Sequence, residues 1–159
     1  MTIQPGDSLP SGQLQEGNPG ATVDPAAEFG SGTTIIFGVP GAFTPGCSNT
    51  HLPGYVADAE SLAAKGVDAI ACVSVNDAFV MGAWGESQGA EGKVRMLADP
   101  QAEFTTAMGL EVDAGAVLGG VRSKRYAMIV KDGVVSDIEV EPDGFGLTCS
   151  LSSSIADKL

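Results

Sequence analysis

Three cysteines, Cys47, Cys72 and Cys149, are the side chains best able to carry covalent chemistry, and their settings differ. Cys47 lies near the end of the run Pro40-Gly41-Ala42-Phe43-Thr44-Pro45-Gly46-Cys47-Ser48. Thr44 is a good N-cap residue and Pro45 fits the first helical position, so the run predicts a helix start with Cys47 in its first turn. A sulfur there faces unsatisfied N–H groups and the positive end of the helix dipole, which favour the thiolate; such sites have pKa values of roughly 3.5 to 7.5, against about 8.5 for a free cysteine. The thiolate is the nucleophilic form. The Thr44 hydroxyl, three residues earlier, can sit beside the sulfur and both donate and accept. Gly46 leaves backbone N–H groups open to a small ligand, while Pro40 and Pro45 remove competing donors and stiffen the loop. Together these residues describe a small, rigid pocket suited to a two-oxygen ligand.

The other candidates are plainer. Cys72 lies in the apolar stretch Val67–Val75 and reads as a buried, inert thiol. Cys149 sits by a glycine-rich turn ahead of a terminal helix, where an exposed cysteine is expected. His51 follows Cys47 by four residues, but two ligands fall short of a zinc set, so a structural hydrogen bond beneath the site is the expectation, with no metal and no cofactor. One arginine is more often a surface charge than a catalyst, and spacing alone does not separate Arg122 from Arg125. A general thiol-disulfide oxidoreductase is the nearest alternative, weakened by the absence of a C-x-x-C pair. A non-enzymatic redox sensor signalling through oxidised Cys47 is another.

The elements that must position these groups follow from hydrophobic pattern and punctuation. Residues 1–32 are rich in Gly, Pro and polar groups and predict a hairpin or loop over one edge of the core, with regular structure starting at Thr33. Thr33–Val39 predicts a strand buried on both faces. The helix carrying Cys47 should kink at Pro53, which cannot donate to the Asn49 carbonyl, and close at Lys65-Gly66. Next come a buried strand over Val67–Val75, an Asp77-capped helix to Gln88, a short strand at Val94–Ala98, and a helix near Glu103–Met108. Asp132-Gly133 joins Tyr126–Lys131 and Val134–Val140 as a hairpin, and a short helix near Ser150–Lys158 ends the chain. That order predicts an α/β, single-domain thioredoxin-like fold over residues 1–159, a central mixed β-sheet flanked by helices. By itself it names no function.

Composition narrows the setting. A chain of 159 residues suits one core, and 43% hydrophobic against 18% charged residues describes a globular, soluble protein. No apolar run approaches the roughly 18 residues of a membrane helix. The net charge of −12 disfavours nucleic acid as a partner. An odd number of widely spaced cysteines argues against a secreted disulfide framework and for a reducing compartment. No Lys or Arg precedes Lys65, so a secretory or mitochondrial leader is not expected. The expected location is intracellular and cytoplasmic, or mitochondrial or peroxisomal if a targeting segment has been trimmed.

The run from Pro40 to Ser48 resembles the active-site signature of the peroxiredoxins. The wider text is similar to the peroxiredoxin-5, or type II, branch through Asn49-Thr50-His51-Leu52-Pro53-Gly54, Ser74-Val75-Asn76-Asp77, Leu97-Ala98-Asp99-Pro100, Glu141-Pro142-Asp143-Gly144 and Leu147-Thr148-Cys149-Ser150. The resemblance implies a thiol peroxidase acting on hydrogen peroxide or organic hydroperoxides. Cys47 would attack the peroxide and become a sulfenic acid. Thr44 would orient the substrate, Arg125, in Lys124-Arg125-Tyr126, would stabilise the charges, and Pro40 with the N–H groups of Gly46 and Cys47 would line the substrate pocket. Arg122 would support the loop. Cys149 matches the resolving cysteine, although some type II proteins resembling this chain at Cys72 use that position instead. Thioredoxin, glutaredoxin or glutathione would serve as reductant, and a homodimer is implied.

Overall fold

In chain order the protein forms β1 (Leu14–Glu16), β2 (Asn18–Val23), α1 (Pro25–Glu28) and β3 (Thr33–Val39), then α2 (Leu52–Ala64), β4 (Ala69–Ser74), α3 (Ala78–Ser87) and β5 (Arg95–Ala98). It continues through α4 (Glu103–Ala107), β6 (Glu111–Asp113), α5 (Gly115–Leu118), β7 (Val121–Ser123), β8 (Tyr126–Lys131), β9 (Val134–Val140) and α6 (Ser152–Ala156). The computed structural model describes residues 1–159. Seven strands make one mixed sheet in the order β2-β1-β5-β4-β3-β8-β9, and β6 pairs with β7 in a separate ribbon.

The strand and helix expectations hold in their essentials. Thr33–Val39 is an interior strand, parallel to β4 and antiparallel to β8. Period-two alternation sends Ile35, Phe37 and Val39 to one face and Ile36 to the other, and both faces are covered. Helices α2, α3 and α6 supply Tyr55, Trp84 and Ile155 to the first face, and α4 supplies Phe104 to the second. The result is the thioredoxin-like α/β arrangement expected. Asp132 and Gly133 take φ of 52° and 80°, the doubly positive pair of a tight hairpin turn.

Three details differ. Regular structure begins before Thr33, because β1 and β2 form a hairpin that extends the sheet beyond β5. The ribbon β6–β7 and α5 had no strong pattern to announce them. Their segments are three or four residues long, too short to show a period. At Pro53 the helix widens rather than simply kinking: Cys47–His51 is a π-helical segment, in which Leu52 N–H reaches back to the Cys47 carbonyl. A proline inside a helix crowds the carbonyl four residues earlier, and a wider turn relieves that clash.

Topology decides what meets at one edge of the sheet. The parallel strands β3 and β4 both end there, at Val39 and Ser74. The antiparallel β8 begins there, with Tyr126 opposite Gly38, and β9 ends there, with Val140 opposite Tyr126. Loops at Pro40, Asn76, Arg125 and Glu141 therefore converge, at the carboxyl ends of the parallel strands, where open α/β sheets bind their ligands.

Candidate active site

The loop after β3 is held by its neighbours before it reaches Cys47. Asn76 Oδ1 accepts from Ala42 N–H at 3.0 Å and from the Ser74 hydroxyl at 2.6 Å, and Ser74 also donates to the Val39 carbonyl. Phe43 sits at φ 63°, unusual for an aromatic residue, with its ring largely in solvent. Helical backbone starts at Pro45, and Ser48 N–H gives the first helical bond to the Thr44 carbonyl at 2.9 Å. Thr44 thus occupies the N-cap position, but its side chain does not cap. The hydroxyl donates to the Gly41 carbonyl at 2.7 Å, which leaves its lone pairs to accept a proton from something else.

Cys47 lies in the first turn, as expected, but has no exposed surface, so the open pocket predicted at the sulfur is closed in this conformation. The larger clefts lie elsewhere, between α2 and β4 and between α3 and β5. Thr44 and Gly46 are half-buried and Pro40 is buried. Trp84 Nε1 donates to the Ser48 hydroxyl at 3.0 Å and ties α3 to the same turn.

Arg125 is brought to this turn and is 4% exposed. Its Nη2 lies 3.1 Å from where a Cβ would stand on Gly46, one residue before Cys47. A side chain at that position would push the guanidinium away, so the glycine is needed for its lack of bulk. Arg125 Nε donates to the Phe145 carbonyl at 3.1 Å, and Nη1 donates to His51 Nδ1 at 3.0 Å. Guanidinium has no acceptor, so His51 carries its proton on Nε2 and gives it to the Ser150 carbonyl at 3.1 Å. Burial, and then the cation of Arg125, lower the His51 pKa to about 3, so the ring is neutral. His51 is the structural hydrogen bond expected beneath the site. Both its nitrogens are committed.

No carboxylate pairs with Arg125. The ion pairs are Arg95–Glu16, Arg95–Glu28 and Lys158–Glu139, all partly exposed and distant from this role. A buried cation whose partners are a carbonyl and a neutral imidazole is under-compensated, and an anion beside it is strongly favoured. Arg122, by contrast, ties Val75 and Leu118 together through their carbonyls at 3.0 and 3.1 Å and lies against Gly41. It braces the loop.

The other cysteines separate clearly. Cys72 is fully buried on β4 opposite Phe37, in the same apolar cluster as Cys47, and burial pushes its pKa well up. Cys149 is half-buried in the segment between β9 and α6, and all three thiols are free. Its pKa is raised, first by burial and then by the Glu141 carboxylate. From the same segment, Leu147 reaches to 3.6 Å of the Gly46 Cβ position, so the Cys149 loop leans over the Cys47 turn.

Several participants escaped the residue-level reading. Tyr55 stacks on Phe37 at 4.1 Å and donates to the Ser150 carbonyl at 2.8 Å, while Glu141 gathers the backbone of residues 148–150. A single glutamate in sequence reads as a surface charge, and nothing local marks this one as buried.

The family described as Redoxin matches residues 4–153. Among curated proteins, the chain is 48% identical to "Peroxiredoxin-2E-2, chloroplastic" of Oryza sativa subsp. japonica over 94% of its own length and 69% of that protein. It spans 63–69% of the length of that relative and of its counterparts from Arabidopsis thaliana and Synechocystis. Among solved structures, reduced Prx3 in complex with H2O2 from Vibrio vulnificus superposes with a TM-score of 0.91 at 48% identity, covering 99% of both chains. Peroxiredoxin 5 from Alvinella pompejana gives 0.83 at 41% identity, covering 92% of this chain and 95% of that one. Matches of this extent, on a chain whose buried arginine lies against the turn that carries the helix-start cysteine, show that it belongs to the redoxin family and, within it, to the thiol-dependent peroxidases of the type II peroxiredoxin branch.

Proposed function

We propose that Cys47 is the peroxidatic cysteine and Cys149 the resolving one, in a cycle driven by a dithiol donor. The observation that carries this reading is the buried Arg125 guanidinium without a carboxylate beside the Cys47 turn. It is a site made for an anion that appears during the reaction, first the thiolate and then the oxygen leaving it. The Cys47 thiolate attacks one peroxide oxygen, the O–O bond breaks, and the departing oxygen takes a proton to leave as water or an alcohol. The sulfur is oxidised by two electrons to the sulfenic acid. Thr44, its own proton committed to Gly41, accepts from the peroxide O–H and fixes which oxygen faces the sulfur.

Because Cys47 is covered, substrate must enter past the half-buried Thr44, Gly46 and Leu147. Cys149 then attacks the Cys47 sulfur: the S–S bond forms, the S–O bond breaks, and hydroxide leaves with the thiol proton as water. A thioredoxin-type dithiol, or a glutaredoxin/glutathione couple, reduces the disulfide and is itself oxidised. The partial exposure of Cys149, against the complete burial of Cys72, supports Cys149 in this step. We place the cycle in a reducing compartment, cytoplasmic or organellar, and take a homodimer as the assembly.

Stopped-flow mixing with hydrogen peroxide tests the assignment. Cys47→Ser is expected to abolish rapid consumption, and Cys149→Ser to reduce one equivalent and then stall with thioredoxin as donor. Oxidation of the native protein no faster than that of an ordinary thiol would instead favour a sensor or a general disulfide exchanger. A Cys149→Ser variant that cycles normally would remove Cys149 from the cycle.

A further inference from the structure

Glu141, the residue after β9, is 1% exposed, and its carboxylate is directed entirely at one short stretch of chain. Oε1 accepts from Thr148 N–H at 2.9 Å and from the Thr148 hydroxyl at 2.6 Å. Oε2 accepts from Cys149 N–H at 2.9 Å, from Ser150 N–H at 2.9 Å and from the Ser150 hydroxyl at 2.7 Å. Three consecutive N–H groups and two hydroxyls thus converge on one buried carboxylate, and charge-assisted bonds of this kind are about twice as strong as neutral ones. Burial opposes ionisation here, but the Thr148, Cys149 and Ser150 donors together outweigh it and hold the carboxyl well below its usual range.

The flanks of the stretch are fixed by other means. On one side Asp143 accepts from Phe145 and Gly146 N–H. On the other, α6 is pinned to α2 by Ser152 donating to Asp58 at 2.7 Å and by Lys65 donating to the Ala156 carbonyl at 3.2 Å, with Ile155 buried. The segment from Leu147 to Leu151 is therefore the piece free to move once Glu141 lets go. Its Ser150 carbonyl is also the acceptor for Tyr55 and His51, and His51 in turn accepts from Arg125.

We infer that Glu141 is a positioning residue for the resolving step: its carboxylate latches the Cys149 segment in the reduced enzyme, and the latch must open before Cys149 can reach Cys47. Opening withdraws the Ser150 carbonyl from His51, and so loosens the support of Arg125. The path Glu141, Ser150, His51, Arg125 then carries the state of the Cys149 segment to the guanidinium. The covalent step is the one given above, with the S–S bond made, the S–O bond broken and water released. This inference rests on Cys149 being the resolving cysteine.

Glu141→Gln keeps the shape but turns one acceptor into a donor aimed at N–H groups. Trp84, the sole tryptophan, is bonded to Ser48 beside Cys47 and reports both steps by stopped-flow fluorescence. The expected result is disulfide formation about tenfold faster, a slower peroxide step because the support of Arg125 is loosened, and about tenfold more peroxide needed to over-oxidise Cys47 to the sulfinic acid, because the faster step competes better. Ser150→Ala, which removes one donor and keeps the carboxylate, should move the same readouts in the same direction by less, and it decides the matter if Glu141→Gln does not fold. An unchanged disulfide rate and sulfinic dose in the folded variant would overturn the latch, as would slower disulfide formation, which would mean that Glu141 presents Cys149 rather than restraining it. Native protein whose oxidised Cys47 never bonds to Cys149 would overturn the resolving assignment, and the latch with it.

Discussion

A neutral imidazole and a backbone carbonyl are poor company for a buried guanidinium, and the catalytic role proposed for Arg125 rests on that imbalance. In the proposed peroxide step negative charge develops on the leaving oxygen beside the Cys47 turn, and a cation held in advance would stabilise it with little reorganisation. Arg125→Ala is expected to lower the second-order rate with hydrogen peroxide by about 10²- to 10³-fold, the scale seen when one preorganised donor is removed. Arg125→Lys should recover only part, since one ammonium cannot hold the Phe145 carbonyl and His51 Nδ1 in a fixed fork as the guanidinium does. Stopped-flow rates of the two variants against the native protein check this, and full reactivity in Arg125→Ala would mean that another cation serves. The helix start with Cys47 in its first turn was legible from Thr44 and Pro45, whereas Arg125 was singled out only by the resemblance, spacing alone leaving Arg122 open. The contact between His51 and Arg125 was not legible, because it spans 74 positions and depends on the register of β3 against β8.

At the scale of elements, the site depends on backbones approaching closely. Gly38, the next-to-last residue of β3, lies under the ring of Tyr126 on β8, and a methyl group there would stand inside the ring's contact distance. Gly38→Ala should destabilise the protein by about 1–3 kcal/mol, read as a lower urea midpoint with an unchanged slope. Tyr126 adjoins Arg125, so the same substitution should also reduce peroxide reactivity; a variant of native stability would show that β8 yields easily. Strand Thr33–Val39, the Asp77-capped helix and the Asp132-Gly133 hairpin could all be read from pattern and punctuation, because each signal is local. The π-helical segment is a different case. Pro53 announced a disturbance, but whether a helix kinks or widens depends on what packs against it, and here Phe37 and Tyr55 close on the His51 ring at 4.8 and 5.6 Å.

For the whole molecule, the buried network couples folding to pH. His51 binds a proton near pH 6.5 in the unfolded chain and only near pH 3 in the folded one, so the unfolded state holds more protons between these values. Stability therefore decreases as pH falls through that window, by about 2 kcal/mol between pH 6.5 and 4.5 from this residue. Glu141, whose carboxyl is also depressed, adds to the loss only below its ordinary range near pH 4.5. Urea titrations of native protein and His51→Gln should diverge between pH 6.5 and 4.5, the variant having the flatter profile; parallel profiles would contradict a neutral His51. The thioredoxin-like order of elements was visible in the sequence from Thr33 onward. A hairpin or loop over one edge was expected before it, but its pairing into the sheet beside β5, the ribbon β6–β7 and the hub at Glu141 were not visible, since each is fixed by contacts across the fold rather than by neighbours in the chain.

The most direct test of the central claim uses the spacing of lysines and arginines, which places Cys47, Cys72 and Cys149 on three different tryptic peptides. Protein treated with one equivalent of hydrogen peroxide, alkylated, digested and analysed by mass spectrometry should yield the peptide of Cys47 joined to that of Cys149, with Cys72 alkylated as a free thiol. A bond from Cys47 to Cys72, or an unmodified Cys47 after the peroxide is consumed, would contradict it.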